Sequence, residues 1–234
     1  MTELPDIGRK VAIFDVDGTI FRSSLLIQVV DQLIRDGVFP EEVQRLYAAQ
    51  YEAWLDREGD YQTYIEAVVR AFRDNIKGVH YGKLAEAGET VVAAQWKHTY
   101  RYTRTLLAEL KRKGYYLLAV SHSPKTVLDK FCPRLGFDKV YGMMYEIGPQ
   151  ECFTGAVLDE HLIFNKANII RRAAEKEKLL LIDSGGVGDT ESDIPMLEAV
   201  EHPICFNPNA KLYAHAKRAG WKVVVERKDV VYEL

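Results

Sequence analysis

The apolar positions of this chain fall into short blocks separated by stretches of helical spacing. Residues 11–14 form a β-branched-rich run between Lys10 and Asp15, the pattern of a strand buried on both faces of a parallel sheet. Residues 117–120, after Gly114-Tyr115-Tyr116, read the same way, and 139–141, 203–206 and 222–225 are further candidates. Between them, residues 124–135, 165–176, 194–200 and 209–219 carry helical patterns. Alternation of strand and helix predicts an α/β fold with a mostly parallel sheet.

Residues 23–113 break that alternation, with no convincing strand. Val43, Leu46, Tyr47, Tyr51, Trp54 and Leu55, then Tyr61, Tyr64, Ile65, Val68 and Phe72, recur at helical spacing. Residues 91–110 read as one long helix, ended by Lys111-Arg112-Lys113-Gly114, with basic residues in the last turn and a closing glycine as stop signals. A helical module thus sits between the first and second strands. Residues 143–158, with Gly148-Pro149-Gln150 between short extended runs, predict a β-hairpin.

Composition narrows the function classes. The 234 residues suit one large domain or a core domain with an insertion, and 31 basic against 34 acidic residues leave a net charge of -3. That balance offers no basic footprint for nucleic acid and no polybasic membrane patch. No apolar run is long enough to span a bilayer. Met1-Thr2-Glu3-Leu4-Pro5-Asp6 carries acid and proline where a signal peptide needs positive charge and then an apolar stretch, so the expected location is the cytoplasm. Cys132, Cys152 and Cys205 lie singly, as packing residues rather than a disulfide or zinc framework.

Four stretches carry chemistry. In Asp15-Val16-Asp17-Gly18-Thr19, two acids follow the first apolar run. Residues i and i+2 of a strand share a face, and strand carboxyl ends are where open α/β sheets bind ligands. Two carboxylates there repel unless a cation joins them, and Mg²⁺ with oxygen ligands is the natural one; a turn acid is the plainer alternative. In Gly188-Asp189-Thr190-Glu191-Ser192-Asp193, one helical turn aligns Asp189 with Asp193. Asp189 alone would serve as a helix cap; the pair suits a metal site. The strand feeding it is either 179–182 or 184–187. Ser121-His122-Ser123-Pro124 follows a strand and opens a helix, with Pro124 at the first helical position. A hydroxyl and free N–H groups there make an anion site, or a plain serine cap. In Phe164-Asn165-Lys166-Ala167, a lysine opposes the dipole at a helix start, mild evidence for a negative ligand, although taken alone a solvated surface lysine is the better explanation.

Together, in this order, the four stretches resemble the motifs of the haloacid dehalogenase-like hydrolase superfamily, over residues 10–209. The helical insertion, and Phe206-Asn207-Pro208-Asn209-Ala210 after the fourth motif, are similar to its phosphoserine phosphatase-like branch. The resemblance implies a Rossmann-like parallel sheet with helices on both faces, formed by 1–22 and 114–234, and an inserted helical cap domain, 23–113. It implies a phosphatase in which Asp15 is the nucleophile forming an aspartyl-phosphate and Asp17 the general acid and base. Mg²⁺ would be held by Asp15, the Asp17 carbonyl and Asp189, with Asp193 supporting. Ser121 and Lys166 would bind phosphoryl oxygens, helped by Gly18, Thr19 and His122, with Thr19 also holding Asp17 in place. The second aspartate separates a phosphatase from the dehalogenases, which lack it.

The implied substrate is a small phosphorylated metabolite. Phe21-Arg22-Ser23-Ser24-Leu25-Leu26 lacks the acid that phosphoserine phosphatases carry there, with Ser24 at about its place, which argues against phosphoserine. Arg22 would favour an anionic substrate, although an exposed arginine is the plainer reading. Tyr47, Tyr51, Trp54, Tyr61, Tyr64, His98, Tyr100, Arg101, Tyr102 and Arg104 are material for a pocket, although aromatics at helical spacing are more often core. The alternatives are a phosphotransferase with the same intermediate, a receiver-type signalling domain, for which the chain is too long and Asp17 misplaced, and a non-catalytic phosphate-binding protein.

Overall fold

The computed structural model describes residues 8–159 and 165–234; Met1 to Asp6 and Phe164 lie outside them. Its centre is a mixed sheet of β1 (Arg9–Phe14), β2 (Tyr116–Pro124), β3 (Lys139–Ile147), β4 (Phe153–Leu158), β5 (Leu179–Gly188), β6 (His202–Phe206), β7 (Lys222–Arg227) and β8 (Val230–Glu233). The strands lie in the order β4-β3-β2-β1-β5-β6-β7-β8. The pairs from β3 through β7 are parallel, and the two edge pairs, β3 with β4 and β7 with β8, are antiparallel. The β3–β4 hairpin is the one expected from 143–158. The β8 strand had no sequence forecast, being short and partly exposed.

β1 is central because its last four residues are buried, so it must be flanked on both sides. The chain passes to β2 on one side and, later, to β5 on the other. That reversal is the switch point at which α/β sheets open a crevice.

Between β1 and β2 lie α1 (Leu25–Arg35), α2 (Arg45–Leu55), α3 (Tyr61–Ile76), α4 (Tyr81–Gln95) and α5 (Arg101–Arg112). α1 buries Leu25, Leu26, Val29, Val30 and Leu33, one stripe at helical spacing. On α2 the expected stripe is less complete: Leu46, Tyr51 and Leu55 stay exposed. The single helix expected over 91–110 is two. It breaks after Gln95 although no proline or glycine interrupts it. The cause is tertiary: the Arg22 amide donates to the His98 carbonyl (2.9 Å), and the Tyr100 amide to the Ile20 carbonyl (3.0 Å). These bonds to the loop after β1 replace the helical ones. α5 then sits under Glu226 of β7, whose carboxylate accepts from the Arg101 and Tyr102 amides, an N-terminal cap supplied from the sheet.

After β2 comes α6 (Lys125–Phe131) and a 3₁₀ turn over Cys132–Leu135. Pro124 is the residue before the helix, with ψ 129°, and not its first residue. α7 (Lys166–Glu177), α8 (Ile194–Leu197) and α9 (Ala210–Ala219) follow. The three cysteines are unpaired, Cys132 and Cys205 buried. Among the described residues no helix is long and apolar enough to cross a membrane.

The two candidate feeder strands, 179–182 and 184–187, are halves of β5. Their register against β1 shifts between Lys10 and Ala12, and Asp183 takes a positive φ of 57° at the bulge. Lys10 Nζ lies 2.5 Å from its carboxylate, Tyr115 donates to it at 3.0 Å, and His202 Nε2 is 2.8 Å away. These bonds, Lys10 first, lower the Asp183 carboxyl to about 2. Because the folded value lies below the unfolded one, the stabilisation is present above the unfolded value of about 3.9 and is lost as pH falls toward 2. Urea unfolding between pH 5 and 2 is therefore expected to fall less steeply for Asp183→Asn than for wild type.

Candidate active site

β1 ends at Phe14, and the next residues turn across the carboxyl edge of the sheet. The Ile20 and Phe21 amides both donate to the Val16 carbonyl (2.9 and 2.8 Å). Asp15 and Asp17 therefore do not share a strand face, contrary to the alternation expected for them. Asp15 points to α7 and the loop after β5. Asp17 points to β2 and the start of α1.

Asp17 is held by three donors: the Leu25 amide (2.6 Å), Ser121 Oγ (2.6 Å) and Ser123 Oγ (2.8 Å). Ser123 Oγ also accepts from the Leu26 amide (3.2 Å). Ser24, at the N-cap of α1, makes no side-chain cap bond, so Asp17 and Ser123 satisfy the first amides of the helix from outside it. Ser123 is the residue that sequence reasoning passed over. Its signal was the two-residue spacing from Ser121 on a strand, which puts both hydroxyls on one side. His122, between them, is half-buried.

Asp15 meets the other expected residues. Lys166 Nζ lies 2.6 Å from Asp15 Oδ1 and 2.5 Å from Asp193 Oδ1, and its side chain is 2% exposed. Lys166 is thus a buried ion-pair centre, not a surface lysine. It occupies the first turn of α7, whose capping bond is made by Asn165 to the Ala167 amide (3.1 Å). Asp193 Oδ2 accepts from the Asp189 and Thr190 amides (3.0 and 3.1 Å), so Asp193 rather than Asp189 acts as the local cap. Thr19 Oγ1 reaches Asp189 Oδ1 at 3.4 Å, not Asp17.

One oxygen of each of Asp15, Asp189 and Asp193 lies within 4.8 Å of the others. Three carboxylates share this pocket with one ammonium. Asp15 Oδ2 is buried with no hydrogen-bond partner. Burial, then the neighbouring acids, pushes the Asp15 and Asp189 carboxyls well up, while Lys166 pulls them down. Burial pushes Asp17 up against its hydrogen bonds. For Lys166, burial opposes the charge but Asp15 and Asp193 outweigh it, and the ammonium is held on. An orphaned carboxylate oxygen, a surplus of negative charge and an all-oxygen donor set fit a hard divalent cation such as Mg²⁺. The Asp17 side chain is engaged elsewhere, which leaves only its main chain for that role.

Gly18 makes the cluster possible. Its φ is +79°, and an added Cβ would lie 2.1 Å from Asp189 Oδ2. At Gly188 a Cβ would meet that of Asp193 at 2.5 Å. Both backbones run too close to a carboxylate for any side chain.

A cavity of about 640 Å³ opens from Gly18 beneath α1, α2 and α3. Tyr47, Tyr51, Trp54, Tyr61, Tyr64 and Tyr100 line it, as does the exposed Arg22. The first five also pack on one another, so they are core and pocket wall at once. Arg101, Tyr102 and Arg104 do other work: Tyr102 stacks on Phe206 and Arg104 binds Thr99 Oγ1 (3.0 Å).

Comparison with known proteins bears on the family and the fold. The family described as haloacid dehalogenase-like hydrolase matches residues 12–198. A histidinol-phosphatase of Neisseria meningitidis serogroup C is 22% identical, over 92% of this chain and 98% of its own. A phosphoserine phosphatase of Methanocaldococcus jannaschii is 24% identical, over 95% and 94%. A solved structure from Bordetella pertussis Tohama I, titled a protein with unknown function, shares the fold with a TM-score of 0.73 at 21% identity, over 92% of this chain and 98% of that one.

Two substitutions probe the cluster. Lys166→Met strands two buried carboxylates and is expected to cost about 3–5 kcal/mol in urea unfolding at pH 7. Gly18→Ala is expected to cost about 1–3 kcal/mol by the same measurement, through its φ and the clash with Asp189.

Proposed function

The chain belongs to the haloacid dehalogenase-like hydrolase family, and on that footing we propose that it is a Mg²⁺-dependent phosphomonoesterase acting on a small phosphorylated metabolite through an aspartyl-phosphate. The observation that carries this reading is the partnerless, buried Asp15 Oδ2 beside the Lys166 ammonium and the Asp189 carboxylate. The names of the relatives, phosphoserine phosphatase and histidinol-phosphatase, support the reaction class.

In this reading Asp15 attacks phosphorus, the ester P–O bond breaks, and Asp17 gives its proton to the leaving oxygen. Burial pushes the Asp17 carboxyl up against its three hydrogen bonds, the direction a general acid needs. The ionised Asp17 then takes a proton from water, whose oxygen attacks phosphorus. Inorganic phosphate leaves and the Asp15 carboxylate is restored. Lys166 offsets the charge on Asp15 and, with the Ser121 hydroxyl, receives phosphoryl oxygens. Asp15, Asp189 and the Asp17 main-chain carbonyl would hold Mg²⁺, supported by Asp193, and the bound ion supplies charge neutralisation for the phosphoryl group. Ser123 positions Asp17. The helices between β1 and β2 form the cap over the site, with α5 tied to the sheet through Glu226. Three unpaired cysteines fit a reducing, cytoplasmic setting.

Phosphate release from an aryl phosphate is the direct test. Turnover is expected to require Mg²⁺, to stop on chelation, and to fall about a thousandfold or more in Asp15→Asn. Turnover that survives Asp15→Asn would exclude Asp15 as the nucleophile.

A further inference from the structure

The tyrosines that line the cavity divide between its two ends. At the far end the Tyr47 hydroxyl donates to Asp31 at 3.2 Å. After burial, it is Asp31 that pushes the Tyr47 and Tyr64 phenols up, and Tyr51 packs 5.2 Å from Tyr64. At the near end Gly18 runs close against the Asp189 carboxylate, and two phenols respond to the acids of the site. After burial, Tyr100 is pushed up by Asp189, and Tyr61 by Asp17, Asp189 and Asp15. Tyr100 is already engaged: it is hydrogen-bonded to the Asn207 side chain, and its ring packs edge-on to Phe206 at 4.9 Å. Tyr61 is not. It is the first residue of α3, and edge contacts with Trp54 (5.5 Å) and Tyr64 (6.1 Å) hold its ring. It lines the cavity together with Gly18, and its hydroxyl has no hydrogen-bond partner among the described residues.

A phenol that keeps its proton is a neutral donor, so it stands beside carboxylates without adding to their charge. A phosphoryl group in transfer spreads its charge over three equatorial oxygens. The sheet side offers it Lys166 and Ser121, and the single Ser121 hydroxyl hydrogen is shared with Asp17 at 2.6 Å. A donor held rigid by its neighbours on the opposite side costs no reorganisation when that charge develops. We propose that Tyr61 is a catalytic residue contributed by the helical cover, its hydroxyl donating a hydrogen bond to a phosphoryl oxygen turned toward the cavity. The inference rests on the phosphatase reading above and adds to it a donor that none of the four motif stretches contains.

Tyr61→Phe keeps the ring contacts and removes only the hydroxyl. The probe is orthovanadate, which adopts the geometry of phosphorus in transfer, competing against aryl phosphate hydrolysis by the whole chain with Mg²⁺. In Tyr61→Phe the vanadate inhibition constant is expected to weaken about ten- to a hundredfold, and kcat/KM for the aryl phosphate to fall by a similar factor. An inhibition constant does not depend on how much of a variant folds, and a residue that only packs would leave it where it was. Unchanged vanadate inhibition in Tyr61→Phe, with turnover still abolished by Asp15→Asn, overturns the inference and leaves the phosphatase reading standing. Weakened inhibition with kcat/KM unchanged overturns it too. Absence of aryl phosphate turnover in wild type overturns both.

Discussion

Two buried carboxylates and a half-buried third around one lysine are the constraint on which the rest of this structure turns. An isolated buried charge is so costly that it must be paired or neutralised. Lys166 pairs with Asp15 and Asp193, which still leaves the cluster negative. The groups near it bear on that surplus: two backbone amides donate to Asp193, a threonine hydroxyl to Asp189, and one oxygen of Asp15 is buried without a hydrogen-bond partner. A protein that needed only stability would put apolar side chains here.

The fold assembles that cluster from remote segments because parallel strands all end on one edge. Asp15 follows β1, Ser121 and Ser123 lie near the end of β2, and Asp189 follows β5, each flanking the switch point. The helical segment gains its place through the same edge. Asp17 and Ser123 cap α1 from outside, while the Ile20–Arg22 backbone interrupts what would otherwise be one helix and sends α5 back onto the sheet. The site and its cover therefore share hydrogen bonds, and a change in one is felt in the other.

The cover also explains why its aromatic residues defy a choice between core and pocket. Tyr47 and Tyr64 are nearly buried, yet one edge of the same cluster faces the cavity. Large rigid rings hold an open chamber without collapsing into it, since their packing is with one another.

Local chemistry alone determined the strand–helix alternation, the helical character of the segment after β1, the hairpin and the four motif stretches. Those follow from side-chain periodicity and residue type, which are properties of neighbours in the chain. Tertiary structure decided the rest. Lys166 reads as a solvent lysine until α7 carries it between two aspartates. Asp17 and Asp15 read as a same-face pair until the chain turns at Val16. Ser123 matters only because Asp17 stands opposite it. The break after Gln95 has no local signal at all, because hydrogen bonds from residues far earlier in the chain cause it. Partners distant in sequence decide burial and charge pairing, and no window of neighbouring residues contains them.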